Sequence, residues 1–168
     1  RLLVLDGALS QRTNLGGTGA PNFFGSMAIA GSPAWTDLTF ASRFWSTDND
    51  TVGVVFRYQD LGNYYRVRLD AERTSVQLTS FRNGVSRVLA ERTGIAGYAS
   101  DFWHSLVVSA IGAHLRVWRN GELLFDLQDN DHATGKVGLY CWANQFVSFD
   151  DIVVRSGDAM ARTRTQHF

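Results

Sequence analysis

The stretch that decides the fold is Ser46-Thr-Asp-Asn-Asp50, followed by Thr51-Val-Gly-Val-Val-Phe-Arg-Tyr58, Gln59-Asp-Leu-Gly-Asn63 and Tyr64-Tyr-Arg-Val-Arg-Leu-Asp70. Apolar side chains recur at every second position in both long segments, which is typical of half-buried strands. The polar segments before and between them have turn composition. The pattern therefore predicts an acidic loop, a strand, a tight turn and a second, antiparallel strand.

The period of two also assigns each side chain of this hairpin to a face. One face is predicted to be inward and mainly apolar, with Val52, Val54, Phe56 and Tyr58 on the first strand and Tyr65, Val67 and Leu69 on the second. The other face is predicted to be outward and rich in arginine, with Gly53, Val55 and Arg57 on the first strand and Tyr64, Arg66 and Arg68 on the second.

The rest of the chain repeats this organisation of short strands and turns. Asn83-Gly84 and Asn120-Gly121 are favourable two-residue hairpin turns. No window of about 12 residues has a helical period, and about a dozen strands separated by turns favour an antiparallel sandwich. We expect an all-β jelly roll over residues 1–155 and a polar, basic C-terminal tail over 156–168.

Composition excludes several functional classes. The 168 residues carry a formal net charge of zero, so no long-range field would attract nucleic acid. No run of about 18 apolar residues is present, so we expect no membrane span. Cys141 is the only cysteine and can form no intrachain disulfide. The chain opens within a strand pattern, at Arg1-Leu-Leu-Val-Leu5, and we expect either a processed product or one module of a larger protein.

Several segments resemble a known group. The segment from Ser46 to Gln59 is similar to the acidic loop and strand of thrombospondin C-terminal domains. Gly135-Lys-Val-Gly-Leu-Tyr140 and Val147-Ser-Phe-Asp-Asp-Ile-Val153 resemble that group's closing strands. Bacterial concanavalin-like (LamG-like) modules share the pattern, including Val4-Leu-Asp-Gly-Ala-Leu-Ser-Gln11. The resemblance implies a lectin-like jelly roll, often with structural calcium, in large secreted proteins. The related 3-keto-disaccharide hydrolase domains share the fold. The fold alone therefore does not distinguish a binding module from a hydrolase.

Calcium needs six to eight oxygen ligands, and acidic loops can supply them. The resemblance places calcium near Asp48 and Asp50. Asp6 and Asp151, the other candidate metal ligands, would meet if the first and last strands pair. Alternatively, Asp48-Asn49-Asp50 is a solvated turn and Asp151 is a strand-end residue. A second acidic loop, with Asp126, Asp129 and Asp131, lacks the glycine of an EF-hand and is interpreted as a turn.

The outward faces are the candidate ligand surfaces, because sugar binding uses aromatic platforms flanked by planar hydrogen-bonding groups. The strongest candidate is the hairpin face with Arg57, Tyr64, Arg66 and Arg68. Trp142 and the nearby Asn144 form a second predicted part of the site. His114, Arg116 and Trp118 form a similar outward set. Alternatively, the tryptophans belong to the core and the arginines only solvate the sheet.

Catalysis has little support in the residues. A glycosidase needs two carboxylates flanking a cleft, and outward acids are scarce on the strands. No Glu-x-Asp-x-x-Glu motif occurs, and Cys141 is predicted to be a buried thiol. We therefore predict a non-catalytic, extracellular or cell-surface module that binds carbohydrate or matrix and holds a structural calcium ion. The alternatives are a sugar-acting hydrolase of the 3-keto-disaccharide group and a purely structural adhesion module.

Overall fold

The computed structural model describes residues 2–5, 8–13 and 24–156, and regular structure in these ranges consists of strands. In chain order the strands are β1 (Leu2–Leu5), β2 (Ala8–Gln11), β3 (Ser26–Ala30), β4 (Leu38–Ser46), β5 (Thr51–Asp60), β6 (Asn63–Asp70), β7 (Ser75–Arg82), β8 (Val85–Thr93), β9 (His104–Ile111), β10 (His114–Arg119), β11 (Glu122–Gln128), β12 (Lys136–Trp142) and β13 (Val147–Ser156). The described ranges therefore consist of short strands separated by turns, as the sequence pattern predicts.

The strands form two antiparallel sheets. The seven-stranded sheet has the order β1-β2-β13-β4-β9-β10-β11, and the six-stranded sheet has the order β3-β12-β5-β6-β7-β8. Strands from both ends of the chain meet in the first sheet, where Ser10 of β2 pairs with Ser148 of β13. The predicted all-β jelly-roll sandwich is confirmed.

The core lies between the two sheets and follows the predicted alternation. In the β5–β6 hairpin Val52 pairs with Leu69 and Val54 with Val67, and all four side chains are buried in the main apolar cluster. The facing sheet contributes side chains such as Phe40 from β4. A run of alternating apolar residues is thus explained by burial of one face of each sheet.

One irregularity in β5 changes the predicted faces. The β5–β6 register shifts after Phe56, and Arg57 has a φ of 47°. A bulge of this kind adds a residue to one strand and redirects the side chains that follow. As a result Tyr58 packs with the outward aromatic cluster, whereas Arg57 leaves that face. The predicted inward position of Tyr58 and the predicted outward position of Arg57 are both wrong.

The C-terminal boundary differs slightly from the prediction. Ser156, which the sequence analysis placed in the tail, is the last residue of β13 and pairs with Leu38. The remainder of the predicted tail, 157–168, lies outside the described residues. Within the described ranges no helix has the length and apolar character needed to cross a bilayer.

Candidate ligand-binding face

The outward side of the six-stranded sheet carries a group of arginine and aromatic side chains, which we call the arginine face. The strand register places Arg66 of β6 next to Val55 of β5 and Thr79 of β7, and places Arg68 next to Gly53 and Gln77. The arginine face comprises Val55, Tyr58, Tyr64, Arg66, Arg68, Phe81, Tyr140 and Trp142, together with Arg73 just after β6.

Arg66 lies between two aromatic rings at the centre of this face. Its guanidinium carbon is 4.7 Å from the centre of the Phe81 ring and 4.9 Å from that of Tyr140. Its Nη1 also donates to the Tyr140 hydroxyl at 3.4 Å. The side chain is only 2% exposed, and burial lowers the pKa of the guanidinium. Cation–π contacts stabilise a cation in this setting more than they would in water.

Tyr64 extends the aromatic layer along β6. Its ring stacks on Phe81 with 4.5 Å between ring centres and lies 5.6 Å from the Tyr58 ring. Burial raises the pKa of the Tyr64 phenol. Among the described residues, nothing forms a hydrogen bond with the Tyr64 hydroxyl. This buried hydroxyl is therefore a polar group whose hydrogen bonding the described structure leaves unsatisfied, which is energetically unfavourable.

The more accessible end of the arginine face is formed by Trp142 and Arg73. The Arg73 guanidinium lies 5.0 Å from the Trp142 ring centre, and its side chain is 39% exposed. Arg73 also donates to the buried Asp70 carboxylate at 3.2 Å and contacts Glu72 at 2.8 Å. This end offers an aromatic surface, a guanidinium and the half-exposed Glu72 carboxylate within one small area.

Sequence reasoning missed Arg73. Its signal was present in Asp70-Ala-Glu-Arg73, a turn in which the two ends have opposite charges three residues apart. Phe81 was also missed as a member of this face, because the strand period of β7 does not show which residues of β6 it faces. The register of β6 and β7, with Tyr64 opposite Phe81, brings the two rings together.

Arg57 lies elsewhere, at one end of the sandwich. Its Nη1 donates to the His132 carbonyl oxygen at 2.8 Å, and its Nη2 is 3.9 Å from Asp37 Oδ1. The side chain is 1% exposed, and burial lowers its pKa. Of the predicted ligand residues, Tyr64, Arg66, Arg68 and Trp142 therefore share a face, and Arg57 does not join them.

Asn144 is buried beneath the acidic loop rather than displayed beside Trp142. Its side-chain amide donates to the Asp50 carbonyl oxygen at 3.1 Å and to the Tyr98 hydroxyl at 2.7 Å. Its Oδ1 accepts from Ser46 Oγ at 2.7 Å. Because each polar atom of the side chain is engaged in the fold, Asn144 has a structural role in the loop, and its predicted display as a ligand-binding group is corrected.

The acidic loop brings together only two of the four predicted metal ligands. Asp48 Oδ1 accepts the Asn49 N–H at 2.9 Å, and Asp48 Oδ2 accepts the Gln145 N–H at 2.8 Å. Asp50 Oδ1 lies 3.7 Å from Arg73 Nη1. No group of three His, Cys, Asp or Glu side chains suited to a metal occurs in the described ranges. The loop therefore fits a calcium shell only in part.

The other two predicted metal ligands are not brought to this loop. Asp151 lies on the β13 bulge, has a φ of 48° and forms an ion pair with Arg43 at 3.3 Å. It is four residues from Val147, which pairs with Ser46, and this corresponds to roughly 13 Å along a strand. Asp6 lies outside the described residues.

The second acidic loop is occupied by internal contacts. Asp129 Oδ1 accepts from the Tyr65 hydroxyl at 2.6 Å, and Asp131 Oδ2 accepts from Ser80 Oγ at 2.6 Å. Arg87 contacts both carboxylates and lies 2.7 Å from that of Asp131. These contacts agree with its interpretation as a structural turn. Cys141 belongs to the core, where burial raises the pKa of its thiol to about 12.

Solved structures with the same architecture include several carbohydrate-related proteins. A carbohydrate-binding module, CBM66 from Bacillus subtilis, has a TM-score of 0.77 at 20% identity, with 93% of this chain and 91% of that chain covered. The Caenorhabditis elegans galectin LEC-6 has a TM-score of 0.59 at 11% identity, with coverage of 78% and 90%. The GH43 protein BlXynB from Bacillus licheniformis has a TM-score of 0.64 at 13% identity, with coverage of 89% and 33%.

These likenesses establish a concanavalin-like fold of the kind found in carbohydrate-binding modules and galectins. A search of curated proteins gave no match. The resemblance to thrombospondin C-terminal domains stays a prediction. A family model described as a 3-keto-alpha-glucoside-1,2-lyase-like domain matches residues 3–155, nearly the whole chain, and corresponds to the related hydrolase group named from the sequence. The chain therefore belongs to the 3-keto-alpha-glucoside-1,2-lyase-like domain family.

Proposed function

We propose that this protein is a non-catalytic, extracellular or cell-surface module that binds carbohydrate on the arginine face. The observation that carries the proposal is the accessible pair of Trp142 and Arg73, which lies at the end of the outward layer in which Arg66 packs between Phe81 and Tyr140. Its fold is like that of a carbohydrate-binding module. A matrix glycan is included among the ligands, because the same groups would recognise it.

The array suits sugar binding because its side chains are held in place before a ligand arrives. Arg66 is buried between two rings and stabilises the layer that ends at Trp142, which limits the side-chain entropy lost on binding. At the accessible end, the Trp142 ring offers an apolar surface to a sugar ring. Arg73 and Glu72 offer a donor and an acceptor for its hydroxyl groups. Binding by one such module is expected to be weak and strengthened by multiple copies.

The test compares two pairs of substitutions on a glycan array and by calorimetry. Arg73→Ala/Trp142→Ala removes the accessible part of the arginine face. Arg43→Ala/Trp103→Ala is the matched control, because it removes an arginine–tryptophan contact of the same 5.0 Å on the other sheet. We expect the first variant to lose about tenfold or more in affinity and the control to bind like wild type. Equal binding by all three proteins would contradict the proposal.

An enzyme is the second candidate, and the family match favours it because the family is described as lyase-like. In that case Glu72, whose half-exposed carboxylate contacts Arg73, would be the accessible acid nearest to a bound sugar. Release of reducing sugar or of a keto-sugar product from an oligosaccharide panel, abolished by Glu72→Gln, would overturn the non-catalytic proposal. The absence of glycan binding and of turnover would instead favour the structural adhesion module.

A structural calcium ion at the acidic loop is retained as part of the proposal. Asp48 and Asp50 would be its carboxylate ligands, and the crowding of acids around Asp50 supports a local preference for a cation. Thermal melts with calcium and with a chelator test this directly. We expect a higher Tm with calcium, and an identical Tm in both conditions would contradict the metal.

A further inference from the structure

A pocket at one end of the sandwich, with several charged and polar side chains in its lining, is separate from the arginine face. It has a volume of about 370 Å³ and is formed by the segment before β4, the β9–β10 turn and the loop after β11. Arg57 lines it, together with Asp37, Asn130 and Gly112. The volume is at the lower end of the range for small-molecule sites, so it suits one small ligand.

Arg57 is directed into this end of the molecule by a strained backbone. Arginine rarely adopts positive φ, yet Arg57 has a φ of 47°. Gly135 packs directly against this bulge, where a Cβ would lie 2.2 Å from the Arg57 carbonyl carbon. Strain of this kind persists where the surroundings enforce it, and bulges often redirect a side chain at functional sites. Here the bulge moves a guanidinium from the sheet face to the pocket.

The guanidinium keeps hydrogen-bonding capacity at this position. Nη1 donates to the His132 carbonyl oxygen, while Nη2 is 3.9 Å from Asp37 Oδ1, too far for a direct hydrogen bond. Among the described residues, nothing accepts a hydrogen bond from Nε. The Arg57 side chain lines the pocket although it is nearly fully buried, and the Asp37 side chain beside it is half-exposed.

The charges of the pocket favour a neutral ligand over an anion. Asp37 faces Arg57, and Asp129 is engaged by Arg87 and by the Tyr65 hydroxyl. Asp37 Oδ1 accepts the Gly112 N–H at 2.8 Å and fixes the carboxylate, and the exposed Asn130 adds an amide. A hydroxyl group both donates and accepts, so neighbouring hydroxyls complement a guanidinium and a carboxylate side by side.

We propose that this pocket binds a single neutral sugar unit through adjacent hydroxyl groups. Asp37 accepts from one hydroxyl, Arg57 donates to its neighbour, and the Asn130 amide contacts a third. This inference goes beyond the proposed function and does not depend on it.

The experiment is a ¹H–¹⁵N NMR titration of the whole chain with D-glucose, D-galactose and D-fructose in turn. The Asn130 side-chain amide and the Gly112 backbone amide report on the pocket, and the Trp142 indole N–H reports on the arginine face. We expect saturable shifts of Asn130 and Gly112 with at least one sugar. Shifts at Trp142 alone would overturn the pocket and leave the arginine face standing. Shifts in the pocket alone would support this inference and count against the arginine face. No shift at either site with any sugar would overturn the pocket.

Asp37→Asn and Asn130→Ala provide the matching variants. Asp37→Asn keeps an oxygen to accept the Gly112 N–H but loses the charge, and we expect about tenfold weaker binding in the pocket. Asp150→Asn is the control, because Asp150 likewise accepts one backbone N–H at 2.8 Å but lies on β13. Unchanged pocket affinity in Asp37→Asn, with Tm equal to wild type, would overturn the proposal.

Discussion

At the scale of single residues, Asp50 lies where the acidic loop meets the arginine face. Its carboxylate is partly withdrawn from water and lies near Asp48 and Glu72, and these effects outweigh the attraction of Arg73. Burial first, and the neighbouring acids second, therefore raise the pKa of Asp50. The ionised carboxylate is thus less favourable in the folded protein than in the unfolded chain.

The resulting pH dependence has a definite sign. A carboxyl whose pKa is raised on folding stabilises the protein only while it is protonated, so this contribution is lost as pH rises through the raised pKa. We predict that Asp50→Asn raises Tm at neutral pH in the absence of calcium. The difference should vanish in acid, below the ordinary aspartate pKa. Thermal melts of the wild type and of Asp50→Asn, from neutral pH to below the ordinary aspartate pKa, measure this difference in Tm.

Asp60 is the control with the opposite sign. Hydrogen bonds from the Asn63 side chain and the Gly62 N–H lower the pKa of its carboxyl. Its stabilising contribution is present at neutral pH and is lost as pH falls through that lowered pKa. Asp60→Asn should therefore lower Tm at neutral pH. A fall in Tm at neutral pH for Asp50→Asn as well would contradict the interpretation of Asp50.

At the scale of elements, the bulge in β5 is the feature that separates the two candidate sites. An L-residue in the left-handed region is strained, whereas glycine adopts it readily. We predict that Arg57→Gly is more stable than Arg57→Ala by about 1 kcal/mol, because glycine relieves the strain that alanine keeps. Chemical denaturation of the two variants measures the difference without reference to the lost arginine contacts.

Val55 supplies the comparison within the same strand. It occupies a regular, buried position with no positive φ. In a regular strand, glycine is less stable than alanine by roughly 0.5–1 kcal/mol. The order of stability should therefore be reversed between the two positions. If alanine were more stable than glycine at position 57 as well as at position 55, the backbone at Arg57 would not be strained.

The same bulge marks where sequence reasoning stopped being sufficient. Strict alternation placed Val55, Tyr64 and Arg66 correctly, because burial of one sheet face imposes a period of two. It misplaced Arg57 and Tyr58, since one inserted residue reverses every later side chain and leaves little trace in the sequence. The Arg66–Phe81 contact could not be predicted from the sequence either, because it depends on the register between β6 and β7.

At the scale of the whole molecule, the sandwich is closed by strands from opposite ends of the chain. β2 lies between β1 and β13, and Ser10 Oγ is 2.9 Å from Ser148 Oγ across 138 residues of sequence. In contrast, the β5–β6 hairpin forms between neighbouring segments. Closing a long loop costs conformational entropy before the contacts that it brings together can stabilise the fold. We therefore expect β2–β13 pairing late in folding.

This order gives a kinetic prediction. Refolding should take milliseconds to seconds, as in other all-β sandwiches. Val67→Ala removes a core side chain from the local hairpin and should mainly slow folding, whereas Leu9→Ala, on β2, should mainly speed unfolding. Stopped-flow tryptophan fluorescence of both variants over a range of denaturant separates the two rates. If Leu9→Ala slowed folding as much as Val67→Ala for the same loss of stability, the end strands would already be paired in the transition state, and the hairpin could not be the element from which the sandwich grows.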